Sequence, residues 1–300
     1  MKVANFEAAD GLSQGIGVVT EDGLLDFGRA YCAYQVVMGD YPEYYLSIQE
    51  MIEAGEFEPK VFRDVMKFVD EAGLVSKFLV DEGCRLLAPV MYPPSIYALG
   101  RNFPEHAIEH GGEIPSEPII FMKASSSVIG PDEPVIYKRF LTRVDPEVEL
   151  AVIIGRRGSN ISITDALGFI AGYTIINDVT ARDMQSDDIS AAKPWFRSKS
   201  IDTFCPMGPY VLLPDAVKEP LELDLEMRVN GEIRQEDNTR NLIFNVPYMI
   251  SWISKYMTLR PGDVISMGTP EGMTPVMPGE VMEAHIEGIG TLRNPVIAEE

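Results

Sequence analysis

Apolar positions along this chain follow two different periods. Between residues 28 and 72 they recur every three to four positions, with Val61, Val65, Phe68 and Val69 on one face, the spacing of helices buried along a single stripe. Helices are predicted near 28–38, 44–54 and 60–72, after short strands at 2–6, 16–19 and 23–27 that Gly11, Gly15 and the Asp22-Gly23 turn punctuate. The proline-rich segment LLAPVMYPP, Leu86 to Pro94, then breaks the pattern. From Ile96 onward short strand-like runs dominate: SIYALG, PIIFMK, PVIYK, ELAVIIG, YTIIND, YVLL, LDLEMRVNG, DVISMG and VMEAHIEG. Helices are fewer there, near 104–110, 164–171 with Thr164 as N-cap, and 245–256. The predicted organisation is a small α/β N-terminal domain, 1–90, and a β-rich α+β domain, 91–300, built as a sandwich, roll or barrel. A doubly wound sheet would need regular strand–helix alternation, which is missing.

Composition narrows the partners. The 300 residues carry 46 acidic and 25 basic side chains, a formal net charge of −21. No basic face is available to neutralise phosphates, so neither nucleic acid nor an anionic membrane is an expected partner. Cys32, Cys84 and Cys205 are odd in number and widely spaced, without a CxxC or a disulfide framework, as in a reducing compartment. The opening MKVANFEAAD reaches acidic residues too early for a signal peptide, and no apolar run approaches membrane-spanning length. A cytoplasmic location is the expectation.

Candidate chemistry begins with acids where acids cost most. Glu147 and Glu149 open the apolar run LAVIIG, and Asp178 closes the run YTIIN. A strand's side-chain period of two puts both glutamates on one face, and Asp178 on a neighbouring strand would bring a third carboxylate to them. Unpaired, the three would repel and raise each other's pKa; a divalent cation removes that penalty. Three hard oxygen donors suit Mg²⁺, Mn²⁺ or Ca²⁺ better than Zn²⁺ or copper. An exposed Glu-x-Glu is usually solvated charge, but exposed strands rarely read LAVIIG.

The segment GRNFPEHAIEHGG holds two of the three histidines. His106 and Glu109, three apart, share a helical face, where a carboxylate orients an imidazole and raises its basicity as for a general base. An incidental pair on a solvated helix has the same spacing. His106, Glu109 and His110 also spell H-x-x-E-H, the inverted zinc-peptidase motif, although Pro104 and Gly111-Gly112 leave it little helix. Arg101 and Lys123 directly follow apolar strand patterns, and with Arg182 and Lys199 they offer charge to an anionic substrate. The Gly268-Thr269-Pro270 turn can bind a carboxylate or be a plain turn.

Taken in order, GRNFPEHAIEH, PIIFMKASSSVIGP, DPEVELAVIIG, GYTIINDVTARDMQ, RSKSIDTFCPMGP, VNGEIRQEDNTRNLIF, TLRPGDVISMGTPEG and IEGIGTLRN resemble the fumarylacetoacetate hydrolase superfamily, from roughly residue 97 to 295. The resemblance implies a mixed β-sandwich roll, a homodimer, and one Mg²⁺ or Mn²⁺ per subunit. It implies Glu147, Glu149 and Asp178 as metal ligands, and His106 with Glu109 as catalytic dyad in a lid segment. Lys123, Arg182, Gln185, Lys199 and Thr269 fall on substrate-site positions, and residues 1–90 look like the extra domain of longer bacterial members. Asn102 stands where large members have a further acidic ligand, and Glu280 where a late turn usually has aspartate. The implied activity is hydrolysis of a C–C bond in a 1,3-dioxo acid of acylpyruvate or fumarylpyruvate type. His106 would activate water, Lys199 or Lys123 would offset the growing charge, and the ion would steady the departing enolate. Oxaloacetate decarboxylation or tautomerisation, or dehydration of a 2-oxo sugar acid, would use the same site.

Overall fold

The computed structural model describes residues 1–109 and 114–300, and of Glu109 the backbone only. Strands dominate it, as the period-two and all-apolar runs predict. One large sheet runs, edge to edge, through Gly23–Asp26, Gln14–Thr20, Lys2–Glu7, Cys205–Leu212, Ile170–Asn177, Val148–Ile154, Val264–Ser266, Ile96–Gly100 and Ile119–Lys123. Its pairings are antiparallel except where Val264–Ser266 meets Ile96–Gly100 and where the short Val128–Ile129 strand meets Cys205–Leu212. A second, five-stranded sheet runs Glu232–Asn238, Asp224–Val229, Val281–Ile286, Gly290–Ala298 and Val135–Tyr137.

Both faces of the large sheet are buried, so its central strands read as continuous apolar runs. Along Val148–Ile154, the even positions Val148, Leu150, Val152 and Ile154 pack with Leu225, Met227, Met282 and Ile286 of the second sheet. The odd positions Ala151 and Ile153 pack with Phe27, Ile48, Met51, Phe62 and Val65 of the N-terminal helices. The result is three layers: helices, large sheet, small sheet.

The N-terminal residues enter this plan directly. Lys2 and Val3 pair with Leu212 and Val211, continuing the large sheet without a gap. Helices Phe27–Met38, Ile48–Ala54 and Pro59–Glu71 then cover the face that the strand register turns toward them. Asp26 and Ser47 cap the first two, accepting from the backbone N–H of Arg29 at 2.9 Å and of Glu50 at 3.2 Å, which satisfies orphan donors of the first turn.

Two local expectations differ. The helix expected over 164–171 is only a 3₁₀ turn, Ala166–Phe169, and Ile170 already begins a strand. Ser162, not Thr164, organises that turn, its Oγ accepting from the Asp165 N–H at 3.2 Å, while burial on the sheet claims Ile170 and Ala171. Conversely, Arg182–Ser190 is a helix that no apolar stripe announces.

Asn5 fastens the layers. Almost fully buried, it donates to the carbonyls of Ala88 and Pro89 at 2.9 and 3.0 Å and accepts from the Ile48 N–H at 2.8 Å. Removing a side chain that satisfies three buried backbone groups costs about 3 kcal/mol. Asn5→Ala should therefore lower the denaturant midpoint at unchanged m; a loss smaller than about 0.5 kcal/mol would show those groups find other partners.

Candidate active site

Two antiparallel strands bring the acids together. Val148 stands opposite Asn177 and Glu149 opposite Ile176, and the Asp178 N–H donates to the Glu147 carbonyl at 2.8 Å. Glu147 and Glu149 therefore share the face of Ala151 and Ile153, at the end of the sheet where Asp178 leaves it. All three carboxylates are buried, and one oxygen from each lies within 4.8 Å of the others.

Cations from three other segments close around them. Lys199, ending the short Phe196–Lys199 helix, places Nζ 2.7 Å from Glu147 Oε2 and 2.5 Å from Asp178 Oδ2. Lys123, ending the Ile119–Lys123 strand, donates to Asp178 Oδ1 at 2.6 Å and to the Lys199 carbonyl. Arg182 opens its helix with the guanidinium donating to Asp145 and Gln185, each at 2.7 Å, and to Glu147. Asp145, fully buried, also accepts from Arg143 Nε at 2.9 Å.

Among the described residues Glu149 has no such ion pair. Its Oε2 accepts from Ser266 Oγ at 2.6 Å and the Gly268 N–H at 2.9 Å. Burial, reinforced by Asp178 and Glu147, pushes its carboxyl well above the usual range. Burial also pushes the Glu147 carboxyl up, but Lys199, Arg182 and His106 outweigh it and hold that group well below the usual range. Lys199 keeps its proton more firmly than an ordinary lysine: burial opposes the charge, and Asp178 and Glu147 overcome that. Three converging hard oxygen donors, one of them short of positive charge, fit a divalent cation of the Mg²⁺ and Mn²⁺ kind.

Above the triad lies a cavity of about 240 Å³, smaller than the roughly 300 Å³ at which drug-sized pockets begin and so suited to a compact ligand. Its polar lining includes Glu147, Glu149, Lys199, Arg182, Gln185, Thr269, His106 and Arg101; Leu99, Phe121, Ile189 and Trp195 are its apolar lining. The Phe121 and Trp195 rings lie 5.6 Å apart, and Lys199 Nζ stands 5.0 Å from the Phe121 centroid. Arg101 adopts the left-handed region at φ 57° and makes no ion pair among the described residues. A long, charged residue in that region is uncommon outside sites that require it.

The structure thus gathers nearly every residue singled out in the sequence. Lys123 and Asp178 lie beneath the cavity floor rather than in its lining. His106 is on the Pro104–Glu109 helix; Glu109's side chain and His110, which the zinc-peptidase motif needs, are outside the described residues. Asn102 is not a ligand: fully buried, it donates to the carbonyls of Met267 and Phe244 and accepts from the Phe244 N–H. Glu280 accepts from the Met277 N–H in a turn and does not line the cavity. Asp145, Gln235 and Ser266 escaped the sequence reading, because short polar stretches give no sign of a partner far along the chain.

A mixed, strand-rich α+β fold with a small charged cavity over a buried acidic triad that could hold a divalent metal is the arrangement of an enzyme family acting on small molecules. The chain belongs to the fumarylacetoacetate hydrolase family: residues 95–297 match the model of the fumarylacetoacetate (FAA) hydrolase C-terminal domain. Across 99% of its length it is 34% identical to the mitochondrial oxaloacetate tautomerase fahd2 of Xenopus laevis, covering 90% of that protein. Among solved structures, a fumarylacetoacetate hydrolase from psychrophilic Exiguobacterium antarcticum superposes with TM-score 0.78 at 34% identity, covering both chains fully. A maleylpyruvate hydrolase from Sphingobium sp. SYK-6, solved in complex with manganese(II) ion and pyruvate, superposes with TM-score 0.76 at 28% identity, again over both full chains.

Glu149→Gln keeps an oxygen for Ser266 and Gly268 but removes a ligand charge. The unaltered protein should melt at a higher temperature with Mn²⁺, as follows from binding to the folded state alone, and the variant should fold normally and lose that rise. An undiminished Mn²⁺ shift in the variant would remove Glu149 from the ligand set.

Proposed function

We propose that this protein is a Mg²⁺- or Mn²⁺-dependent hydrolase that cleaves the C–C bond of a 1,3-dioxo acid of the acylpyruvate or fumarylpyruvate type, releasing pyruvate and a carboxylic acid. The observation that carries the reading is the cavity itself, lined by Glu147 and Glu149 of the acidic triad, by His106, and by Leu99, Phe121, Ile189 and Trp195 as apolar wall for an acyl group. Glu147, Glu149 and Asp178 would hold the ion, which supplies a Lewis acid for the substrate's keto-acid oxygens and for negative charge forming on them.

The protein's own groups do the rest. Arg182, Gln185 and Thr269 orient the keto-acid carboxylate, and Phe121 and Trp195 hold the acyl end away from water. His106, in the helix it shares with Glu109, takes a proton from the water that attacks the remote carbonyl. As the C–C bond breaks, its electron pair moves toward the pyruvate half. Lys199, already held protonated, faces that charge without reorganising, and preorganised charges of this kind contribute several kcal/mol. Arg101, without an ion pair among the described residues, is the group available for a distal carboxylate of a fumaryl-type substrate.

A second reading has its own support. The relative that aligns over nearly the whole chain is named an oxaloacetate tautomerase, and enol–keto exchange of oxaloacetate would use the same charge-stabilising end without water attack. Three free cysteines, with Cys205 buried and its thiol pushed up to about 12 by that burial, fit a reducing compartment such as the cytoplasm. Among the described residues no helix is long and apolar enough to cross a membrane. The family resemblance further supports a homodimer, for which sedimentation at micromolar concentration should give twice the 33.3 kDa chain mass.

The deciding assay supplies acetylpyruvate, fumarylpyruvate and oxaloacetate with Mg²⁺ or Mn²⁺ and identifies the products. We expect pyruvate from the first two, with kcat lowered about 100-fold or more in His106→Ala. We also expect metal content to be unaffected in His110→Ala. Rapid ketonisation of oxaloacetate with no C–C cleavage would favour the tautomerase, and zinc lost from the His110 variant would revive the peptidase motif.

A further inference from the structure

Gln235 lies in the second sheet, on the Glu232–Asn238 strand, and has no place in the reaction just described. Its side chain is nonetheless nearly fully buried and crosses to the large sheet at the active site. Oε1 accepts from the Val148 N–H at 3.1 Å, between the two glutamates of the triad. Nε2 donates to the Pro270 carbonyl at 2.8 Å and to Thr269 Oγ1 at 2.9 Å. Two glycines set this proximity. Gly272, at φ +94°, could not carry a Cβ without striking the Arg234 carbonyl oxygen, and a Cβ on Gly268, at φ +89°, would come within 2.9 Å of Asn102 Cβ. The Gly268–Gly272 turn is thus pressed between the Arg101 loop and the Gln235 strand.

The hydrogen-bond roles follow from chemistry. An amide's oxygen and nitrogen are usually ambiguous, but here the Val148 N–H can only donate and the Pro270 carbonyl can only accept, which fixes the orientation. The amide nitrogen has protons and no available lone pair, so Thr269 Oγ1 must accept from it. The Thr269 side chain makes no other hydrogen bond among the described residues. Its hydroxyl proton is left over, and Thr269 lines the cavity.

We infer that Gln235 is a positioning residue that commits the Thr269 hydroxyl to act as a hydrogen-bond donor toward a carboxylate in the cavity. The role rests on the 2-oxo acid reading of the site. A threonine hydroxyl free to rotate would present a lone pair to an anion in part of its rotamers and repel it; one that already accepts from Gln235 has one lone pair occupied and its O–H excluded from that direction, so its proton turns toward the anion in more of the remaining orientations. Gln235 touches neither ligand nor ion and acts through Thr269.

Pyruvate binding to Mn²⁺-loaded protein, followed by calorimetry, tests this. Thr269→Val and Gln235→Met should each weaken pyruvate about 10-fold, the worth of one well-placed hydrogen bond, while Mn²⁺ affinity measured alone changes less than 3-fold. In the Thr269→Val background Gln235→Met should add nothing, and Thr269→Ser should restore both the affinity and its dependence on Gln235. Additive losses in the double variant, or a Gln235→Met protein that loses Mn²⁺ to the same degree as pyruvate, would reduce Gln235 to a strut and overturn the inference. If Gln235→Met does not fold, Thr269→Val still decides: pyruvate affinity equal to that of the unaltered protein overturns the inference. Coupled pyruvate binding without any cleavage of acylpyruvates would instead sink the hydrolase reading and leave this one standing.

Discussion

A shortage of positive charge at one buried point organises this molecule. Four carboxylates, Asp145, Glu147, Glu149 and Asp178, are buried together, and Arg143, Arg182, Lys123 and Lys199 pair with three of them. Lys199 and Arg182 are each shared between two carboxylates, and among the described residues Glu149 accepts only from a hydroxyl and a backbone amide. Burying an ion pair costs desolvation that only excellent geometry repays, and burying a surplus charge costs more. Such an arrangement persists because the surrounding sheet over-determines it: strand register fixes Glu147, Glu149 and Asp178 before any side chain adjusts. A divalent cation would turn that deficit into binding free energy, which is why the acids, rather than the histidine, define the site.

How much of this was legible before coordinates depended on the range of the interaction. Val148–Ile154 and Ile170–Asn177 announced themselves because both faces are apolar, and the acids at their ends stood out against that background. The Arg182–Ser190 helix did not, because its sequence RDMQSDDIS has no apolar stripe; it is held by Arg182 at its start and by Asp188, which pairs with Arg197. Asp145 and Gln235 were invisible for a related reason. Their partners lie 37 and 87 residues away, and no local period records such a pairing. Family resemblance supplied Gln185, which no local pattern suggests, whereas Thr269 already stood out in the Gly268-Thr269-Pro270 turn after an apolar run.

The second sheet looks at first like a simple lid on the core. It also ties the strand of Glu147 and Glu149 to the Gly268-Thr269-Pro270 turn, beside the bond from the Gly268 N–H to Glu149, through one amide that makes three hydrogen bonds. Rigidity at the chemistry is thereby borrowed from a layer that contributes nothing else to it, as expected for sites supported by packing behind them.

The N-terminal strand and helices have a consequence for the shorter architecture that begins near residue 95. A chain starting there would leave the backbone around Val211 unpaired and uncover Ala151, Ile153, Ala171, Ile176 and Val264 to water. A bare margin beside a greasy plate invites sticking between copies. In this chain the first ninety residues close that margin and cover that face, and a compact version of this architecture would have to solve the exposure by some other means.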